Sequence, residues 1–399
     1  MRKITLALLP FAVLALGACG SEQPAFGTGS SNDDGTGPGT GSGNGSGTGT
    51  GSGAGDPGSD PATDPVLSKR VVDYNEALRT ASLKLTRRLP TLETIKKVAD
   101  ASDKKAAYEE ELERMLDSSA FDARMVKFWR DTMRVGGGDL DSAPVFAAKL
   151  MAEGRDFTEL FTASTGTCPS FDGTAETFAE GNCNNNVPAH AGVLTNPAVQ
   201  SQFYGNMAFR RVRWVQEVFY CGAFPAEVQA TPTLVDGKDY SAPWPFESIS
   251  NAPIDFRDTS SVVCANCHAT MNHVAPLFAN FDADGMWSNS IQVETPLAPT
   301  PVTTELGHWL PAGQNTAWRF GVEVADLPAL GQAIAADPMV AECLVARMWN
   351  FALSKEDIVN DRATVPYEVI DPFVYEFEKT YDLKDTLRKI MRSEDFVSF

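Results

Sequence analysis

The chain has 399 residues, 43% of them hydrophobic, and carries 33 Lys plus Arg against 52 Asp plus Glu, a formal charge of −19. That much acid excludes a general nucleic-acid binder, which needs a basic footprint, and argues against adhesion to anionic lipid through a polybasic surface. Of the 32 glycines, 15 fall between Gly20 and Gly58, so the glycine content describes a linker and not the folded part.

The N-terminus reads as an address. Arg2 and Lys3 precede an apolar run from Ile4 to Leu16. The run is too short to span a bilayer, which takes about 20 residues, and has the length of a signal-peptide core. It ends in Leu16-Gly17-Ala18-Cys19, which matches the bacterial lipoprotein box, with Cys19 as the lipidated residue. The alternative is an ordinary secretory signal with a chance cysteine. Removal of residues 1–18 takes away Arg2 and Lys3 and brings the charge from −19 to −21. Gly20 follows the cysteine in place of Asp, which by analogy with Gram-negative lipoproteins favours the outer membrane. The expected location is extracytoplasmic and lipid-anchored. Residues 19–65 are a Gly/Ser/Thr-rich tether with a reach of roughly 35–40 Å.

The expected fold is mainly α, with helical modules and long ordered loops. An N-terminal helical module spans 66–145. Its first helical pattern is broken by Pro90, and Thr91 with Glu93 reads as the start of the next helix. Two further helices divide near Ser118-Ser119. Leu112, Met115 and Leu116 share a face on the first, as do Met125, Phe128, Trp129 and Met133 on the second. A middle module, 146–300, carries the chemistry. Residues 135–200 read as irregular, 206–220 as a helix ended by Cys221-Gly222, and 225–262 as loop. A C-terminal helical module occupies 301–399.

Six cysteines remain after Cys19, and free thiols do not persist in an oxidising compartment. Cys168 and Cys183 bracket a polar loop and are expected to pair, contributing roughly 3 kcal/mol by loop entropy. Cys264-Ala265-Asn266-Cys267-His268 is the attachment pattern of a c-type haem. Two thiols on one turn add across the haem vinyl groups, and the next residue presents its imidazole to iron. The expectation is one covalent haem c held by Cys264 and Cys267, with His268 as axial ligand. The alternatives are a Cys264–Cys267 disulfide, or a zinc site built from Cys264, Cys267, His273 and a fourth ligand. Cys221 and Cys343 are left to pair with each other, or to remain buried and reduced.

Met271 and His273 follow His268 too closely to reach the opposite haem face. Met286 and His308 are the distal candidates, with Met339 and Met348 behind them. His190 reads as a solvated loop residue. Arg210, Arg211 and Arg213 form the densest cationic cluster and are candidates for haem propionates, or else a solvated helix face. Phe281-Asp282-Ala283-Asp284-Gly285 lacks the later acidic positions of a calcium loop and reads as a turn.

Several segments, in order, resemble the planctomycete-type cytochrome c-like proteins, a set of extracytoplasmic domains of unknown function also common in myxobacterial lipoproteins. LRTASLKLTRRLPTLETIKKVAD with LERMLDSSAFDARMVKFWRDTMR is similar to their N-terminal helical module. GVLTNPAVQSQFYGNMAFRRVRWVQEVFYCGAFPAEV resembles the segment that leads into their haem motif. CANCHATMNHVAPLFANFDADG is similar to the haem segment, with Met271 and Asn280-Phe281-Asp282 matching. Asn272 and His273 stand in place of the usual Asp-Pro, and Ala275 in place of Gly. ECLVARMWNFALSKED and YDLKDTLRKIMRSEDF resemble the C-terminal module. The resemblance implies haem binding and electron transfer and supplies no substrate.

The function expected is therefore a surface-tethered mono-haem c-type cytochrome lipoprotein, an electron carrier more than a catalyst, with a basic redox partner and a membrane anchor. The alternatives are a non-catalytic surface binding or scaffolding lipoprotein with structural haem or none, and a haem oxidoreductase with an open iron site.

Overall fold

Local capping chemistry sets the first four helices. In a computed structural model, α1 (Tyr74–Thr86) starts at Asp73, whose carboxylate accepts from the N–H groups of Asn75 and Glu76. After Pro90, the Thr91 hydroxyl accepts from Thr94 N–H and opens α2 (Leu92–Asp100), as the sequence pattern requires. Asp103 and Ser118 cap α3 (Lys104–Leu116) and α4 (Ser119–Met133) in the same way. Leu112, Met115, Leu116, Met125, Trp129 and Met133 are all buried, so the two apolar stripes are core faces. The structure describes residues 69–222, 234–235, 238–239, 268, 270–290, 292–294, 300–310, 312–319, 321–354 and 365–399.

The region expected to be irregular, 135–200, contains real helices. Of these, α5 (Ser142–Ala152) is buried from Ala143 to Met151. A helix buried on every side has no polar face and hence no periodic signal, which is why the pattern search passed over it. The short α6 (Glu159–Thr162) and α7 (Pro197–Gln202) follow, the latter capped by Asn196 with Pro at its first position. The next helix also differs from expectation: α8 runs Phe209–Phe219, and 206–208 are not α-helical.

Four C-terminal helices, α9 (Leu327–Ala335), α10 (Pro338–Ala352), α11 (Tyr367–Phe377) and α12 (Leu383–Arg392), and a last helical turn at Glu394–Val397 complete the core. Val340, Ala341 and every residue from Cys343 to Ala352 are buried, so α10 is the central rod. Among the described residues no single helix is long and apolar enough to cross a membrane. Strand is confined, among the described residues, to two-stranded antiparallel pairs such as Ser170–Asp172 with Thr177–Ala179. The fold is mainly helical, as expected.

The two ends of Lys69–Phe399, which forms one compact unit, are laced together. Val71 and Phe399 exchange both backbone bonds at 3.0 Å, and Tyr108 Oη donates to Met391 O. Two disulfides add covalent ties, and both are the expected pairs. Cys168–Cys183 staples the hairpin loop, and Cys221–Cys343 joins the end of α8 to α10.

Candidate functional site

His268, the histidine of the CxxCH pattern, is described; Cys264 and Cys267 lie outside the described residues, as does Cys19. His268 and residues 270–274 are helical. That places Asn272 one turn after His268, on the same face. The two side chains meet: His268 Nδ1 and Asn272 Oδ1 are 3.1 Å apart. An amide oxygen only accepts, so Nδ1 carries the proton and Nε2 the lone pair. Both residues are buried, at 8% and 4% exposure. Burial lowers the His268 pKa, and the bond to Asn272 pulls it back in part. Burial thus favours the neutral ring, and the Asn272 oxygen favours the proton on Nδ1.

Phe209, the first residue of α8, packs against the His268 ring, edge to face, with centroids 4.8 Å apart. An unusual piece of backbone delivers it there. Asn206, Met207 and Ala208 have φ of 48°, 53° and 63°, three consecutive non-glycine residues in the left-handed region. Each costs about 1–2 kcal/mol, so the surroundings must hold the turn. They do so at Met207: its N–H donates to Glu294 O at 2.7 Å, and its carbonyl accepts from Trp309 Nε1 at 3.2 Å.

Arg211, two residues into α8, is 2% exposed, and the hydrogen bonds it makes to described residues all go to backbone. Its guanidinium donates to four backbone carbonyls: Gln200, Phe278, Phe281 and Asp282. Burial lowers its pKa, against the pull of Tyr204 and Asp282. Arg211 thereby ties α7 to the 3₁₀ turn Ala275–Phe278 and the loop that follows the His268 helix. Arg210 donates to Tyr204 O, and Arg213 pairs with Glu217. The triplet expected for propionates is in part a structural clamp.

The sequence-derived candidates fall in several places. Met286 closes a turn in which Asp282 Oδ1 accepts from the N–H groups of Asp284 and Met286; this is a turn and not a calcium loop. Gly285 is required there, with φ 74° and Pro197 O only 2.4 Å from where a Cβ would stand. His308 caps its own turn: Glu305 N–H donates to His308 Nδ1 at 3.1 Å. That puts its proton on Nε2, 3.9 Å from the Glu305 carboxylate. His273 Nε2 is 2.9 Å from Gln314 Oε1. Met271 and Met348 are buried, while Met339 opens α10 beside Asp337. His190 is partly buried, and burial lowers its pKa. Among the described residues no group of three or more His, Cys, Asp or Glu is placed to hold a metal ion.

Sequence reasoning missed the roles of Asn272 and Phe209. The i, i+4 spacing from His268 is a signal for the first. Phe209 arrives through tertiary packing and left no sequence signal.

The comparisons with known proteins bear on the other end of the chain. Residues 64–147 match the model of PSCyt2, a protein of unknown function (DUF1549). The match covers α1 to α4 and part of α5, and supports the resemblance there to a planctomycete cytochrome c-like domain of unknown function. It stops well short of His268. No curated protein and no solved structure matches the chain.

Proposed function

We propose that the chain is a surface-tethered mono-haem c-type cytochrome lipoprotein that carries electrons through haem iron. The observation that supports this most is His268, the histidine of the CxxCH pattern, which is buried with its Nδ1 3.1 Å from an acceptor oxygen, an arrangement that favours a lone pair on Nε2. An axial ligand needs that protonation state, so the residue fits the group. Cys264 and Cys267 would hold haem c through thioethers and His268 would bind its iron. When bound, the haem supplies a one-electron redox change.

The chain's own residues do the rest. Phe209 packs edge to face against the ring of His268. Arg211 fixes the backbone after the His268 helix. Of the two candidates for a second iron ligand, His308 fits less well, because it would have to give up its cap and move its proton to offer a lone pair on Nε2. Cys19 anchors the protein to the membrane, on the outer membrane by the Gly20 argument. A surface this acidic suits a basic redox partner.

Absorption spectra of the purified protein, matured with a c-haem assembly system, test the reading. A carrier shows six-coordinate low-spin iron, oxidised and reduced, and ignores carbon monoxide at modest concentration. A high-spin ferric band with rapid carbon monoxide binding indicates an oxidoreductase. A colourless protein indicates a scaffolding lipoprotein.

A further inference from the structure

We infer that Asn272 is a positioning residue, whose side-chain oxygen holds His268 in the Nδ1–H tautomer and fixes the plane of its ring. The role rests on the haem reading above; the tautomer does not. The neutral histidine side chain in water favours the opposite tautomer, with the proton on Nε2. That intrinsic preference would put the lone pair of His268 on Nδ1, the nitrogen nearer its own helix. Asn272 reverses the preference because an amide oxygen at 3.1 Å accepts only from an N–H.

Two further observations make the arrangement rigid. Asn272 is on the same helix, one turn on, and is 4% exposed, so its oxygen has little room to move. Phe209 stands edge-to-face against the ring with an interplanar angle of 84°, so a flip of His268 runs into an aromatic wall. Partners of this kind set ligand orientation and basicity at metal sites. Asn272 does so without charge. A carboxylate at the same position would accept the same proton and push electron density into the ring, whereas an apolar side chain would remove the acceptor.

The test uses three full-length chains: wild type, Asn272→Asp and Asn272→Leu. In ¹⁵N-histidine-labelled protein without haem, long-range proton–nitrogen spectra report the His268 tautomer. Wild type and Asn272→Asp are expected to hold Nδ1–H. Asn272→Leu should shift the tautomer ratio toward Nε2–H by roughly 5- to 10-fold, the worth of one net hydrogen bond. In the haem-loaded proteins the reduction potential should rise in the order Asp, Asn, Leu. An Nε2–H tautomer in wild type, or an unchanged ratio in Asn272→Leu, overturns the inference. Should Asn272→Leu fail to fold, wild type and Asn272→Asp still decide: a potential for Asn272→Asp equal to or above wild type overturns it. If the matured protein carries no haem, the haem reading fails while the tautomer result stands or falls separately.

Discussion

Arg211→Met removes a buried cation and leaves its partners in place. Arg211 makes five N–H···O bonds to four carbonyls, at 2.6 to 3.2 Å, and all four belong to backbone near the candidate site. Methionine fills much of the space and donates nothing. Each carbonyl left without a donor costs about 1 kcal/mol or more. Against this, the variant escapes the several kcal/mol that burying a lone guanidinium costs. At about 2 kcal/mol for each of the four carbonyls, within the 1–3 kcal/mol range of a buried group left unsatisfied, the loss exceeds that relief by about 2–4 kcal/mol. For a folded unit the size of Lys69–Phe399 the entropy of unfolding is about 0.7 kcal/mol/K, so the melting temperature should fall by roughly 3–6 °C. Differential scanning calorimetry measures the drop, and hydrogen exchange locates it. Protection should fall first at 275–287, the stretch the guanidinium holds, with the α1–α4 region little changed. Arg211→Lys should fall between the two, since an ammonium has three donors and no fork. A methionine variant that melts within 1 °C of wild type would refute the claim that these carbonyls depend on Arg211.

Other predictions follow from single features. Replacing both cysteines of the Cys221–Cys343 pair, separated by 122 residues, should cost about 5 kcal/mol, and of the Cys168–Cys183 pair, separated by 15, about 3 kcal/mol, in urea unfolding. Near-equal losses would count against the loop-entropy account. Burial, aided by Glu153, Glu176 and Asp117, raises the Asp122 pKa to about 6, with Lys384 opposing. The folded state then binds the extra proton, and stability from this group is lost as pH rises from about 4 through 6. Asp122→Asn should be about 1 kcal/mol more stable than wild type at pH 7.5, after allowance for solvent screening, and lose that advantage near pH 4. A flat difference between the two pH values would contradict the cause. Cys19→Ala should move the protein from the membrane fraction to the soluble one; a variant that stays in the pellet points to a different anchor. Electron exchange with a basic partner should slow as salt rises.

Much of the helical order was legible in the residues. Thr91 and Ser118 announce their helices because a cap is a local hydrogen bond, and local bonds follow sequence spacing. The disulfide pairs were legible by elimination: with Cys19 read as a lipid site and Cys264 and Cys267 as a haem pair, four cysteines remain, and Cys168 and Cys183 bracket one loop. Two kinds of feature were not. The Ser142–Ala152 helix is buried all round, so its sequence has no polar face to mark a period. The left-handed run at Asn206–Ala208 is held by Glu294 and Trp309, about 90 and 100 residues away along the chain, and nothing nearby in sequence predicts it. The same holds for Arg211. Its place in an Arg-Arg-x-Arg cluster suggests a surface for anions, yet tertiary packing turns its side chain inward onto carbonyls. At the site itself, His268 could be named from its motif and Asn272 could have been found from its i, i+4 spacing, while Phe209 came only from the packing of α8.

The central claim is that Cys264 and Cys267 carry a covalent haem beside His268, and intact mass spectrometry tests it most directly. Protein matured with a c-haem assembly system, and denatured before measurement, should be heavier by one haem than its processed polypeptide, with any lipid at Cys19 counted in both. The Cys264→Ala, Cys267→Ala double variant should show the bare mass. A wild-type mass equal to the polypeptide, or to the polypeptide less two hydrogens for a Cys264–Cys267 disulfide beyond the two already formed, would contradict the account.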